Sequence, residues 1–397
     1  MIARFMIAVA ILVLSAGQLV ASAAVSDIGG PAGPGAGEPF IFATHDGLQL
    51  SWLEPAANAS QTALRFSVYR AGRWSAPRTV LQRSDLFVNW ADFPSIVEDA
   101  KGTLFAHWLQ KSANSVYAYD VQLAISKDGG YTWSAPLLLN RDGKKAEHGF
   151  VSLAPLPHGG IGAAWLDGRN MVEGKEEGDM TLRYATIDAA GVVRSDVLLD
   201  DRTCECCTTG IAMTSGRPVI AYRDRSPEEV RDIVVVRQTA NGWTKPRLVH
   251  ADDWKIAACP VNGPQVDARG KGVAVAWFTM TSKRGRAYVA LSDDAGATFA
   301  KPVVIDDGAP AGRVDVVMID SNTTVVSWVE QTAAGAEIRA QRVGRSGRLG
   351  PSVKIADSSA ARAAGFPRIA HMGHDVFFAW TEQTAAGKRI RVARGHF

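Results

Sequence analysis

The sequence predicts an all-β protein, a single closed ring of four-stranded antiparallel units, seven in number or six if one unit is an insertion. Three observations carry this expectation. Short apolar segments centred on Trp52, Trp108, Trp165, Tyr222, Trp277, Trp328 and Trp380 recur at intervals of 51 to 57 residues. Gly-rich turns break each interval into four short extended runs, and none of the intervals shows helical periodicity. A period of this size fits one propeller blade per unit.

Taken in chain order, residues 1–23 carry one early cation, Arg4, then a mostly apolar run, and Ala21-Ser22-Ala23 offers a cleavage site before Ala24. Ser15, Gly17 and Gln18 interrupt the run, which falls short of the roughly 20 residues a membrane span needs. It reads as a cleaved export signal, with no stable membrane span left behind and no following cysteine to carry a lipid, so the mature protein is expected in the periplasm or outside the cell. Residues 24–37, rich in Gly, Pro and Ala, read as a flexible lead, and 38–397 as the propeller. The last unit shows only three strands, near 367–370, 376–381 and 388–393, so a segment before Glu38 is expected to supply the fourth.

Net charge is +3, with one cationic cluster at Lys388, Arg389, Arg391 and Arg394. Its spacing is that of the outer face of an edge strand, a solvated face rather than a nucleic-acid site. No phosphate-binding loop, dinucleotide fingerprint, H-E-x-x-H or G-x-S-x-G is present.

Two copies of S-x-D-x-G-x-T-[WF] sit inside the repeat. One holds Ser126, Asp128, Gly130 and Trp133, the other Ser292, Asp294, Gly296 and Phe299. Each lies between an alternating apolar strand and an extended segment carrying Pro136 or Pro302. The chemistry is that of a hairpin: Ser and Asp oxygens accept turn N–H groups, Gly allows positive φ, and the aromatic pins the turn to the sheet. The motif resembles the Asp box of the sialidase superfamily of β-propellers, and as such it reports fold rather than catalysis.

In propellers of that kind, the loops from the outermost strand to the next blade and those between the second and third strands open on one face, opposite the Asp boxes. The resemblance therefore gathers Asp92, Glu147, His148, Asn262, Arg313, Asp315 and Arg368 with Asp167, Arg169, Arg223, Asp224, Arg225, Arg231 and Asp232 at one mouth. Family enzymes grip a sugar carboxylate with three Arg, attack with a Tyr activated by Glu, and use Asp as acid/base. Planar Arg forks suit a carboxylate. The family's Phe-Arg-Ile-Pro is absent, however; Phe366-Pro367-Arg368-Ile369 only permutes it, and no Tyr and Glu pair is assignable, since Tyr117, Tyr119, Tyr184 and Tyr288 read as packing residues.

Cys204, Cys206 and Cys207 precede one blade and Cys259 the next. Export favours disulfides, and spacing leaves Cys259 with Cys206 or Cys207 as the best pair. The alternative is a zinc or cuprous copper site formed by the four cysteines with His148; no other cofactor is expected. The function expected is an exported propeller that binds a polar, anionic ligand, an acidic glycan above all, at an Arg-rich mouth, with sialidase-like hydrolysis open. The alternatives are a protein-interaction propeller with an envelope partner and a cysteine-based metal factor.

Overall fold

The computed structural model describes residues 24–58, 60–171, 178–385 and 387–397. Residues 1–23, expected to be an export signal, lie outside the described residues. Seven antiparallel sheets follow one another, and no α-helix occurs among the described residues, only a 3₁₀ turn at Arg362–Ala364. No described helix is long and apolar enough to cross a membrane. Blade III shows the pattern: strands A to D are His148–Pro155, Ile161–Asp167, Met180–Ile187 and Val193–Thr203. The seven A strands pack against one another around the axis, the first (Gly37–Thr44) closing on the last (Arg368–Met372).

Blade VII is completed from the other end of the chain. Val25–Asp27 pairs with Gly387–His396, bringing Val25 opposite Gly395 and Asp27 opposite Ala393. The lead that follows is tied down, Ile28 N–H donating to Val392 O (3.0 Å), Gly33 N–H to Glu54 Oε2 (3.1 Å) and Gly35 N–H to Lys388 O (2.8 Å).

Each B strand buries its central aromatic between blades, and all seven predicted aromatics are buried. Burial of one such ring stabilises by about 1.5–3 kcal/mol or more. An indole N–H left unpaired there would offset much of that gain, and an acid two residues on receives it: Trp52 to Glu54 (2.6 Å), Trp165 to Asp167 (2.8 Å) and Trp328 to Glu330 (2.7 Å).

The Asp boxes form the turns expected. Gly130 N–H donates to Ser126 Oγ (2.8 Å), Thr132 N–H and Oγ1 to Asp128 (2.9 and 2.6 Å), and Ser126 Oγ to Asp128 Oδ1 (2.8 Å). In the second box Ser292, Gly296 and Thr298 repeat these bonds around Asp294. Trp133 packs edge-on against Phe66 of the preceding blade, centroids 6.1 Å apart. Gly130 has φ +86°, and a Cβ there would lie 2.2 Å from Phe66 Cζ, so only glycine lets this turn close onto its neighbour.

Candidate functional site

The D-to-A and B-to-C loops open on one face, the A-to-B hairpins and Asp boxes on the other. One hollow, about 1080 Å³, lies on the Asp-box side between His45, Asp46, Glu98, Lys101 and Pro155; His45, Asp46 and Lys101 are exposed surface groups, Asp46 pairing with His45 and Arg70. The smaller hollow, about 250 Å³, runs along the axis and is walled by Phe40, Asp92, Phe93, Thr208, Gln265 and Arg368. Of the predicted polar residues, Asp92, Asp315 and Arg368 line it.

The arginines do not stand open there. Arg223 is fully buried, donating to the carbonyls of Asn262 (2.7 and 3.1 Å), Arg231 (2.6 Å) and Phe278 (2.6 Å) and stacking over Trp254. Arg313 donates to the carbonyls of Ala360, Ala361 and Gly365 (2.8, 3.1 and 3.0 Å), and burial pulls its pKa down to about 10. Arg169 pairs with Asp167, Asp142 and Asp196 (2.7, 3.3 and 3.6 Å). Arg225 and Arg231 share Glu205 and Glu229. Arg368 pairs with Asp315 (3.0 Å) and donates to Gln265 (3.1 Å), and it is the one arginine in the wall of the hollow. The expected arginine mouth is thus a set of internal ties: irregular loops leave carbonyls and carboxylates in need of donors, and the guanidinium forks satisfy them.

Three A strands enter the ring through the same bulge. Glu38, Phe150 and Arg313 have φ of 55°, 51° and 53°, each just after a glycine and at a register shift. Each bulged N–H donates to a side chain of the preceding blade or its connecting loop: Glu38 to Thr381 (3.2 Å), Phe150 to Asp92 (2.8 Å), Arg313 to Asn262 (2.8 Å). The recurring pairs Gly37-Glu38, Gly149-Phe150 and Gly312-Arg313 are the sequence signal for these positions. Asp232 serves a similar anchoring role, accepting from Asp253 and Trp254 N–H (2.9 and 3.0 Å). Asp224 accepts Arg225 N–H (2.8 Å), and burial, with the Asp200 charge behind it, raises its pKa to about 6.

One constellation escapes sequence reasoning. Tyr119, read above as a packing residue, places its phenol 2.8 Å from Glu147 Oε1 and 3.1 Å from Asp92 Oδ2, at the blade II–III boundary. One phenol hydrogen cannot serve two carboxylates, so the group is fully bonded only when a carboxyl carries a proton. Burial, supported by the neighbouring Glu147 charge, raises the Asp92 pKa to about 8; burial, supported by the Glu205 charge, raises that of Glu147 to about 7. Gly149 makes the approach possible, since a Cβ there would lie 2.0 Å from Asp92 Oδ2. Asp92 and Tyr119 are buried, Tyr119 also stacking on Phe87 at 4.0 Å, while Glu147 is half-buried at the mouth.

His148 belongs to a separate buried cluster. Its Nε2 meets Asp142 at 2.9 Å and Asp167 at 3.7 Å, and its Nδ1 meets Tyr119 O at 3.1 Å. Both ring nitrogens are thereby occupied, and His148 is not the fifth ligand of the cysteines.

All four cysteines are free, so the expected Cys259 disulfide is absent. Cys204 Sγ lies 3.4 Å from Cys207 Sγ and 3.9 Å from Cys206 Sγ, and Cys259 faces Cys206 from the next blade's loop, outside the cluster of three. Arg231 Nη1 donates to Cys204 Sγ (3.3 Å). Burial opposes ionisation of Cys204, yet hydrogen bonds from Cys206 and Cys207 and the charges of Arg223 and Arg231 outweigh it and hold this thiol well below its ordinary value. Burial pushes Cys207 up.

Residues 56–333 match the family model of the BNR repeat-like domain. The chain belongs to the BNR repeat-like family. No curated protein matches it. Among solved structures it resembles the polysaccharide lyase Uly1 (11% identity, 90% of this chain and 89% of that one, TM-score 0.53). It also resembles the α-L-arabinanase of Penicillium chrysogenum complexed with arabinobiose (13%, 94% and 98%, 0.51) and the endosialidase of phage phi92 (9%, 96% and 71%, 0.52). At these identities the likeness is one of fold: this is a sialidase-like, seven-bladed β-propeller.

Proposed function

We propose that this BNR propeller is an exported protein whose axial mouth binds a carbohydrate, with Glu147 and Asp92 as an acid/base pair held by Tyr119. The observation that carries the reading is the sharing of one phenol by two carboxyl groups beside the axial hollow, with pKa values raised to about 7 and 8. Glycosidic bond cleavage needs a carboxylic acid that keeps its proton near neutral pH, and burial beside a second carboxyl is how proteins provide one. Glu147, half-buried, is the member a substrate reaches first. Half-buried Phe93 lines the hollow as an aromatic surface for a sugar, and Arg368, paired with Asp315, is the arginine that an acidic one would meet there. That the similar folds include a polysaccharide lyase, an arabinanase and an endosialidase supports carbohydrate as the ligand class.

The test is an array of neutral and acidic oligosaccharides, followed by a turnover assay on every bound glycan. Glu147→Gln is expected to abolish turnover while leaving binding, and Arg368→Ala to weaken acidic glycans selectively. An array silent with well-folded protein would overturn the reading. The exposed Val116 and Tyr117, on the B-to-C loop of blade II, then favour an envelope protein docking on the same face.

A further inference from the structure

We propose that Cys204, Cys206, Cys207 and Cys259 form a thiolate site for one soft d¹⁰ metal ion, cuprous copper or zinc, at the rim of the mouth between blades III, IV and V. The site does not rest on the carbohydrate reading: no hydrogen bond among the described residues joins a cysteine to Asp92, Tyr119 or Glu147, although Glu205 in the cysteine loop adds to the charge felt by Glu147.

Geometry carries the assignment. The sulfurs of Cys204, Cys206 and Cys207 all lie within 4.8 Å of one another, with separations of 3.4 and 3.9 Å from Cys204. A disulfide would bring two of them to about 2.05 Å. Sulfurs held at about 2.3 Å by one tetrahedral ion sit about 3.8 Å apart, within a few tenths of an ångström of the two separations from Cys204. Thiolates are the soft donors that select cuprous copper and zinc over harder ions.

The loop is built to hold this arrangement. Cys204 N–H donates to Arg223 O (3.0 Å), fixing the start of the turn to the B strand of blade IV. Glu205, which alternates with the cysteines, points the other way into Arg225 and Arg231, so residues 204, 206 and 207 are left to converge. Arg223 ties the loop carrying Cys259 to the same place through Asn262 O. Arg231 Nη1, 3.3 Å from Cys204 Sγ, supplies positive charge beside what would be an anionic cluster and a hydrogen bond to a ligand sulfur. Cys204 and Cys207 are buried, Cys206 is half-buried and Cys259 exposed, so an ion enters and leaves on the Cys259 side.

The experiment uses the full mature protein, reduced and desalted under nitrogen, with each thiol losing its proton to solvent as it binds. Cu(I) is titrated against a chromophoric Cu(I) chelator and Zn(II), separately, against a zinc chelator, with alkylation of the thiols as a second readout. One ion per chain, protection of the thiols that ligate it (three for copper, four for zinc) and an all-sulfur first shell by X-ray absorption are expected. Cu(I) bound more tightly than Zn(II) by the competition, with three sulfurs, assigns copper; four sulfurs and preferred Zn(II) assign zinc. Cys204→Ser and Cys207→Ser are expected to weaken binding by more than roughly 100-fold, beyond what loss of an outer partner does. Cys206→Ser and Cys259→Ser, at accessible positions, give the same comparison where removal of a buried thiol disturbs folding. Reduced, folded protein that takes up neither ion one-to-one would overturn the proposal. So would stoichiometric uptake that leaves the thiols open to alkylation, or affinity unchanged in a folded Cys206→Ser, Cys259→Ser double variant.

Discussion

Replacing Asp92 by Asn isolates the buried proton at the mouth. In the folded chain Asp92 titrates near pH 8, whereas an aspartate in an unfolded chain titrates near 3.9. Between those values the native state holds a proton the unfolded state has released. The stability tied to it is therefore fully present below about pH 4 and is lost as pH rises through about 8. Roughly four units at 1.36 kcal/mol each give about 5 kcal/mol over that window. Asn at this position keeps the acceptor for Phe150 N–H and offers an amide N–H to the Tyr119 oxygen, with nothing to titrate. Asp92→Asn should thus gain on the wild type steadily with pH, by several kcal/mol at the alkaline end. Guanidinium unfolding followed by tryptophan fluorescence at a series of pH values measures the difference. Parallel stability curves for the two proteins would refute the reasoning, because they would mean that Asp92 is ionised in the native state. Glu147→Gln removes a charge that adds to the effect of burial on Asp92, so it should lower the Asp92 pKa, making the loss of stability smaller and complete at lower pH.

Three further outcomes are expected. Gly130→Ala combines positive φ with a Cβ driven into Phe66 and should cost about 2–4 kcal/mol, read from urea midpoints. Arg223→Met leaves three buried carbonyls without donors and should cost about 3–5 kcal/mol, while glycan affinity of the fraction that remains folded stays unchanged; a loss of affinity without loss of stability would instead return Arg223 to the binding site. A chain starting at Ile28 lacks the strand Val25–Asp27 and the Asp27–Arg391 ion pair; it should unfold at lower urea and associate through the bared edge of Gly387–His396, which light scattering detects.

The fold was legible because it repeats. Trp52 and its six counterparts mark blades by their period alone, and the missing fourth strand of the last unit pointed to the N-terminal segment that supplies it. The site was legible only as a face. Strand order placed Arg223 and Arg313 at the mouth, but one ends a B strand and the other sits at a bulge, where the alternation of side chains breaks down, and both turn inward to carbonyls. Tyr119, Glu147 and Asp92 come from a C strand and two different loops, and nothing in their local sequence announces that they share a hydrogen bond. The cysteines gave their neighbourhood away by spacing, while free thiols rather than a Cys259 bridge required the packing of Glu205 and Arg231 to be seen.

The pairing of Val25 with Gly395 makes the earliest described strand the last that can find its partner. Six blades are able to assemble as the polypeptide lengthens, but the seventh waits until Gly387–His396 has emerged. Joining ends so far apart carries a chain-entropy penalty that rises only slowly with length, so the delay is one of order rather than of energy. Topology of this kind slows the final step and makes it cooperative, because the ring gains its closing interface all at once. A chain cut short before Gly387–His396 lacks most of the seventh blade and its closing interface, and is expected to be the more open to proteases for it.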